Sequence, residues 1–412
     1  MSKSRSLHII MQHDDEATAR RLLIQLARLG DLVQSLPAIA SLTARDPHRP
    51  LDLLCPAPLA DLARLFPDVG HVLGWNGAQW HLWAESFVGE FQSSWLREVE
   101  QYLAELTTEA YKMAYVLNHH QRAILAATLL ATEVQGPRLH GPLSEELTPW
   151  ASYLRHVAQT RGSNRIHLSD TFCGLCGVTP PPAPPVLMPP SNDLPGDLAE
   201  VGISPGEWIA LAVGAGDADR SIPVSVWIEW ISTVLSLESS CAVVLIGTER
   251  DQAPALAIQD GLSPMMAGRL WDATGRTTLV QLATLLKRCH WAVGADTGPL
   301  HLAAAVGTRV MGFYFSRARV HETGPYGQDH WVWQADYALP ETWPIRPSVE
   351  LLLDPATAPR HEPIAGWSLW QSHHDEWGAI FRPAVGRDPQ DDQRAAVWHR
   401  LSEQRLFLQG VR

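Results

Sequence analysis

Lysine is almost missing from this chain: Lys3, Lys112 and Lys287 are the whole set in 412 residues, and arginine carries the remaining positive charge. Any clamp for an anion must therefore be built from arginine, a helix N-terminus or backbone amides. Cysteine is scarce too. Five residues cannot frame a chain of this length with disulfides, so a reducing cytoplasm is the expected compartment. No apolar run approaches the roughly 20 residues that span a bilayer. The opening MSKSRSLHIIMQHDDEATAR has a short apolar stretch followed by acids, which is unlike a signal peptide or an anchor. Work at the inner face of the cytoplasmic membrane, as a peripheral protein, stays compatible with this. The net charge of −12 lacks the concentration of basic residues that a nucleic-acid partner requires.

What is present is globular: 46% hydrophobic and 18% charged residues, in a chain too long for one ordinary core. From Arg21 onward, short apolar runs alternate with segments of helical periodicity. Expected strands are RLLIQ from Arg21, PLDLLCP from 50, HVLGW at 71–75 and AYVLNHH at 114–120; helices lie between them, as in WLREVEQYLAELTTEAY and QRAILAATLLAT. Such alternation implies a parallel, doubly wound sheet. VTPPPAPPVLMPPSNDLPG (178–196) then places eight prolines in nineteen residues, a semi-rigid linker rather than a helix or central strand. The alternation resumes with EWIALAVGAG, VSVWIEWISTVL, CAVVLIG, TTLVQLATLLKRC, HWAVGAD, GPLHLAAAVG and RVMGFYF (207–315). The resulting division is a tail (1–20), an α/β domain (21–178), a linker (179–206), a second α/β domain (207–330) and an extension (331–412). The extension holds seven of the seventeen tryptophans, is expected to pack as a small added subdomain, and ends in an amphipathic helix over 392–409.

Two turns bear on chemistry. In LARLGDLVQSLPAI (26–39), Gly30 and Asp31 fall where a strand ends and a helix begins. Asp31 is either a helix cap or a general base at the carboxyl edge of a parallel sheet, where open α/β proteins bind ligands. In VGADTGPLHLAAAVG (293–307), a strand ends at Asp296 and a small-residue helix begins near Pro299, giving free N–H groups suited to a pyrophosphate. His301 faces the same mouth, one turn in. Two such turns, one per domain, favour a site between the domains over two unrelated caps.

These blocks, together with YVLNHHQRAILAATLL, TGRTTLVQLATLLKRCHWAVGADTGPLHLAAAVGTRVMGFY and TGPYG (323–327), resemble the ADP-heptose:lipopolysaccharide heptosyltransferases, glycosyltransferase family 9. The resemblance runs in order from about residue 21 to 330. It implies a GT-B fold, two Rossmann-like domains facing a cleft, and inverting transfer of a heptose from ADP-heptose to a lipopolysaccharide-core or related lipid-linked glycan. It implies no metal and no cofactor beyond the nucleotide-sugar as co-substrate. By the same resemblance Asp31 is the general base, and Arg220, Glu249, Asp296, Thr297, Gly298 and His301 bind the donor. Arg28, Gly30 and Asn118 are expected on the acceptor side.

The chain departs from the family pattern at GAGDADRSIP (214–223), where Arg220 is the only cation and a lysine is usual. SRARVHE (316–322) replaces the usual Gly-Pro-Thr turn, and brings Arg317 and Arg319. These departures keep two alternatives open: a GT-B-like protein that binds a nucleotide or glycan without transfer, and a transferase for another nucleotide-sugar. Cys173 and Cys176 of FCGLC are expected as core thiols. The run His373–His374–Asp375 is expected at the surface rather than on a metal.

Overall fold

In the computed structural model, the described residues are 20–78, 93–107, 110–140, 144–146, 148–195, 208–335, 339–360 and 364–409. The tail before residue 20 and the end of the proline-rich segment, 196–206, lie outside them, together with Glu207.

The first sheet has strands β1 (Arg21–Ile24), β2 (Leu51–Pro56), β3 (Val72–Trp75), β4 (Tyr111–Val116) and β5 (Ala131–Gln135), in the order β3-β2-β1-β4-β5 and parallel throughout. A two-stranded ribbon, β6 (Arg138–His140) with β7 (Ser144–Glu146), follows it. Among helices longer than one turn, α1 (Leu29–Gln34), α2 (Leu36–Arg45), α3 (Ser93–Leu106), α4 (Gln121–Leu130), α5 (Pro149–Val157) and α6 (Leu168–Cys176) belong to this half. β1 is buried at every position, so its side chains feed cores on both faces, as a central parallel strand requires. The strand order reverses beside β1, and a doubly wound sheet opens a crevice at that point.

The second sheet contains β8 (Trp208–Ala212), β9 (Ala242–Ile246), β10 (Leu270–Asp272), β11 (Trp291–Ala295), β12 (Arg309–Tyr314), β13 (Trp331–Ala335), β14 (Trp367–Asp375) and β15 (Gly378–Pro383). Their order is β10-β9-β8-β11-β12-β13-β14-β15, parallel as far as β13 and antiparallel beyond it. α7 (Val224–Leu237), α8 (Gln252–Gly261), α9 (Leu279–Arg288), α10 (Gly298–Ala305) and α11 (Ile345–Leu353) accompany it, and α12 (Asp391–Gln409) closes the chain. The tryptophan-rich stretch is therefore not a free-standing subdomain. Trp331 and Trp333 are buried in β13, which pairs with β12, and Trp398 of α12 packs on Trp150 of α5 with ring centroids 4.6 Å apart. The chain thus returns to the first domain at its end.

The proline-rich segment lies against α9 and α10: Leu187 N–H donates to Ala305 O at 2.8 Å, and Thr284 Oγ1 donates to Pro190 O at 2.9 Å. Among the described residues no helix is long and apolar enough to cross a membrane. Cys173 and Cys176 are buried in α6, and neither forms a disulfide among the described residues.

Candidate active site

The carboxyl ends of the two sheets face one cleft of about 1200 Å³. On its first-domain wall the chain leaves β1 and enters α1 through Arg28, whose extended backbone makes it the N-cap residue. Asp31 stands at the third helical position, and its Oδ2 accepts from the Arg28 N–H at 3.2 Å. The carboxylate is thus part of the cap without being the cap residue, and its side chain still lines the cleft. Burial pushes its pKa above the usual carboxylate value, opposed by the Arg28 amide and by His301. A desolvated carboxylate of this kind is a stronger proton acceptor than one in water.

On the opposite wall β11 ends and α10 begins, with Thr297 as N-cap and Pro299 in the first turn. The Thr297 hydroxyl is buried and has no hydrogen-bond partner among the described residues. The free N–H groups of that turn and the helix dipole favour an anion. Asp296, just before the cap, is engaged by its surroundings. Its Oδ1 lies 3.3 Å from His301 Nε2, while its Oδ2 accepts from Thr323 Oγ1 at 3.2 Å and sits 3.5 Å from Arg220 Nη1. Arg220 Nη1 also donates to the Asp296 carbonyl at 3.1 Å. Burial alone would raise the Asp296 pKa; His301, Arg220 and Thr323 outweigh it and hold the carboxyl below its usual value. Asp296 is ionised and fixes the arginine and the imidazole beside the helix mouth.

Arg220 comes from a single turn, Ala218–Arg220, after β8. Its Nη2 donates to Asp217 Oδ2 at 2.9 Å, and the same oxygen lies 3.6 Å from Arg317 and 3.9 Å from Arg28. Three guanidiniums, one of them from the first domain, gather on one carboxylate. Further along the cleft, Asp251 Oδ2 accepts from Thr248 N and Oγ1 at 2.7 and 2.9 Å. A Cβ at Gly214 would stand 1.8 Å from Asp251 Oδ1, so the turn after β8 needs glycine there. Glu249 opens the adjoining turn and is exposed to the cleft.

Residues 207–342 match the family model "Glycosyltransferase family 9 (heptosyltransferase)". The second domain belongs to glycosyltransferase family 9. Together with the relative described next, the match marks the chain as a glycosyltransferase. A Haemophilus influenzae protein named as a presumed glycosyltransferase is 23% identical over 299 residues, 71% of this chain and 81% of that protein. The structure of E. coli heptosyltransferase WaaC with ADP-2-deoxy-2-fluoro heptose is similar at a TM-score of 0.59 and 16% identity, covering 82% of this chain and 99% of that one. E. coli ADP-heptose lps heptosyltransferase II is similar at 0.57 and 19% identity, with the same coverage. At such identities the structural likeness establishes the fold, GT-B with two Rossmann-like domains.

The expected site residues Arg28, Gly30, Asp31, Arg220, Glu249, Asp296, Thr297, Gly298 and His301 all line the one cleft. Asn118 lies instead on an adjoining cavity of about 520 Å³, where its Nδ2 donates to Gln25 Oε1 at 2.7 Å. Arg28, expected on the acceptor side, borders both cavities and leans toward Asp217 of the second domain. Gly30 meets protein: a Cβ there would stand 2.8 Å from His301 Cδ2. Arg161 and Glu322 also border both cavities and carried no expectation from sequence, although Glu322 immediately precedes the TGPYG motif. Among the described residues no group of three or more His, Cys, Asp or Glu is placed to hold a metal ion. His374 Nε2 lies 2.9 Å from Pro181 O, and Asp375 accepts two bonds from Arg394 at 2.7 and 2.8 Å.

Proposed function

We propose that this glycosyltransferase moves a heptose from ADP-heptose to a lipopolysaccharide-core or related lipid-linked glycan, with inversion, without a metal, and with Asp31 as general base. One observation carries this reading: Asp31 and the N-terminus of α10 enter the same cleft from opposite domains. Asp31 takes the proton of the attacking hydroxyl as its oxygen bonds to the anomeric carbon. The bond from that carbon to the diphosphate breaks on the far side, and the electron pair leaves with ADP. Arg220 and the amides at Thr297 and Gly298 meet the developing phosphate charge, a task for donors fixed in advance. Asp296 and His301 hold that frame. Glu249 accepts from the ribose hydroxyls, while Arg28, Gly30 and Asn118 border the acceptor. No cofactor takes part beyond the nucleotide-sugar, and the acceptor is met at the cytoplasmic face of the inner membrane by peripheral contact.

The similar E. coli WaaC structures are of the enzyme with ADP and with ADP-2-deoxy-2-fluoro heptose, which supports an ADP-linked donor. The test is transfer from ADP-heptose, and from UDP-sugars as controls, to truncated lipopolysaccharide cores, with the anomeric configuration of the product read by NMR. Product of inverted configuration, formed from ADP-heptose with chelator present, is the expected result. Retention, or binding of ADP-heptose without transfer to any core, would refute the reading.

A further inference from the structure

Arg28, Asp31, Arg161, Leu168 and Glu322 border both the main cleft and the cavity beside Asn118, so they ring the passage between the two. Glu322 is the member of that ring supplied by the second domain. It sits on the single turn Val320–Thr323, anchored by Gln334 Oε1 accepting from Val320 N at 2.9 Å. Its side chain is 10% exposed, and its Oε2 is shielded from solvent yet accepts no hydrogen bond from the described residues. The facing cation, Arg161 Nε, stands 3.5 Å away, and Arg161 Nη1 is turned to the Arg317 carbonyl at 3.1 Å.

A carboxylate buried for structure has its oxygens filled. Asp170 is the contrast: Tyr326 Oη donates to its Oδ1 at 2.9 Å and Ala379 N to its Oδ2 at 3.0 Å. A buried acceptor left unfilled is costly. Its position where the two cavities join indicates a donor that arrives with the substrate.

We propose that Glu322 accepts a hydrogen bond from a hydroxyl of the incoming acceptor sugar, beside the one that reacts, and so positions that sugar against Asp31. The inference rests on the reading of Asp31 as base. Glu322 is a positioning residue; no proton of the reaction passes through it. The charged and titratable groups facing it are Arg161, Asp296, Arg319 and Tyr153, with Asp31 and Arg28 across the passage. Burial pushes the Glu322 carboxyl up to about 7, against the opposing pull of Arg161. Its ionised form is the stronger hydrogen-bond acceptor, so acceptor binding weakens as pH falls through neutrality.

The experiment is steady-state transfer from ADP-heptose to a truncated lipopolysaccharide core by the full-length enzyme and its Glu322→Gln and Glu322→Asp variants, over about pH 6 to 8, with ADP affinity measured alongside. For Glu322→Gln the acceptor KM should rise on the order of tenfold or more. Its kcat should stay within about threefold and the neutral-range pH dependence of KM should vanish. ADP affinity is kept, and Glu322→Asp recovers part of the KM. An unchanged acceptor KM, or ADP affinity lost in both variants, overturns the inference. Should wild-type transfer occur and Asp31→Asn abolish it while Glu322→Gln changes nothing, only this inference falls. Should Asp31→Asn remain active, or wild type fail to transfer, the base reading falls and takes this inference with it.

Discussion

Gln34 Nε2 of the first domain lies 3.1 Å from His301 Nε2 of the second, and both side chains are buried. The contact is part of a close packing of α1 on α10. A Cβ at Gly30 would stand 2.8 Å from His301 Cδ2, and one at Gly298 would stand 2.9 Å from Leu29 Cδ2. Glycine on each helix lets the two N-terminal turns approach. The same contact that joins the domains therefore sets the distance between the carboxylate on one wall and the anion site on the other.

Gly30→Ala tests that coupling. The new methyl must displace an imidazole already held by Asp296 and Gln34. Overpacking of this kind costs about 1–3 kcal/mol, so thermal unfolding should shift down by several degrees. Turnover should fall further than stability alone accounts for, because His301 moves. A variant with wild-type melting and turnover would show that the helices separate freely.

Asp31→Asn keeps the shape of the side chain and its acceptor oxygen toward Arg28 while removing the base. Turnover should fall by about 10²–10⁴, and ADP affinity measured by calorimetry should hold within about twofold. The pH profile has a definite sign. Burial raises the Asp31 pKa, and the base works only when ionised, so kcat is present above that value and lost below it. The acid limb should lie above the usual carboxylate range in the wild type and be absent from any residual activity of the variant.

Asp217 occupies the charge centre of Arg28, Arg220 and Arg317, where an incoming diphosphate must compete with it. Asp217→Asn should therefore tighten ADP binding. The gain is modest, about two- to fivefold, because Arg28 and Arg317 are mostly exposed and their pairs are screened by solvent. The salt dependence of binding should steepen. Weaker ADP binding would make Asp217 a brace that holds the arginines in place.

The eight strands β1 to β4, β8, β9, β11 and β12 and the two facing turns were legible because each rests on local pattern: an apolar run, a turn, then helical spacing; the short edge strands β5 and β10 were not. Asp31 could be read as cap or base for a physical reason, since the observed carboxylate caps Arg28 and borders the cleft at once. The strands β13 to β15 were not legible. WVW is a short apolar run between polar neighbours, and WSLWQSHHD of β14 is mostly polar and buried only at Trp367 and Ser372, so neither has the signature of a sheet interior. Arg161 and Glu322 gave no local signal, because what places them is the meeting of two domains. A residue on the short 3-10 turn Arg161–Ser163 before α6 and another on a single turn after β12 become neighbours only once both domains are folded and docked.

Asp170 on α6 ties the first domain to the C-terminal strands, and its behaviour with pH follows from its surroundings. It is fully buried, its oxygens accept from Tyr326 and Ala379, and the Arg394 guanidinium is 3.9 Å away. Arg394 is spent chiefly on Asp375, with two bonds at 2.7 and 2.8 Å. Burial consequently outweighs the arginine and pushes the Asp170 carboxyl up to about 8. The folded state then binds a proton that the unfolded state has already released. The stabilising contribution is complete below the ordinary carboxylate value of about 3.9 and is lost as pH rises toward 8. Asp170→Asn carries a neutral amide at every pH and has no such loss. Urea denaturation of both proteins should therefore give a stability difference that moves in favour of the variant as pH rises from about 4 to 8, at no more than about 1.4 kcal/mol per unit. A difference that stays constant over that range would mean that Asp170 is ionised in the folded protein, with Arg394 rather than Asp375 deciding its charge.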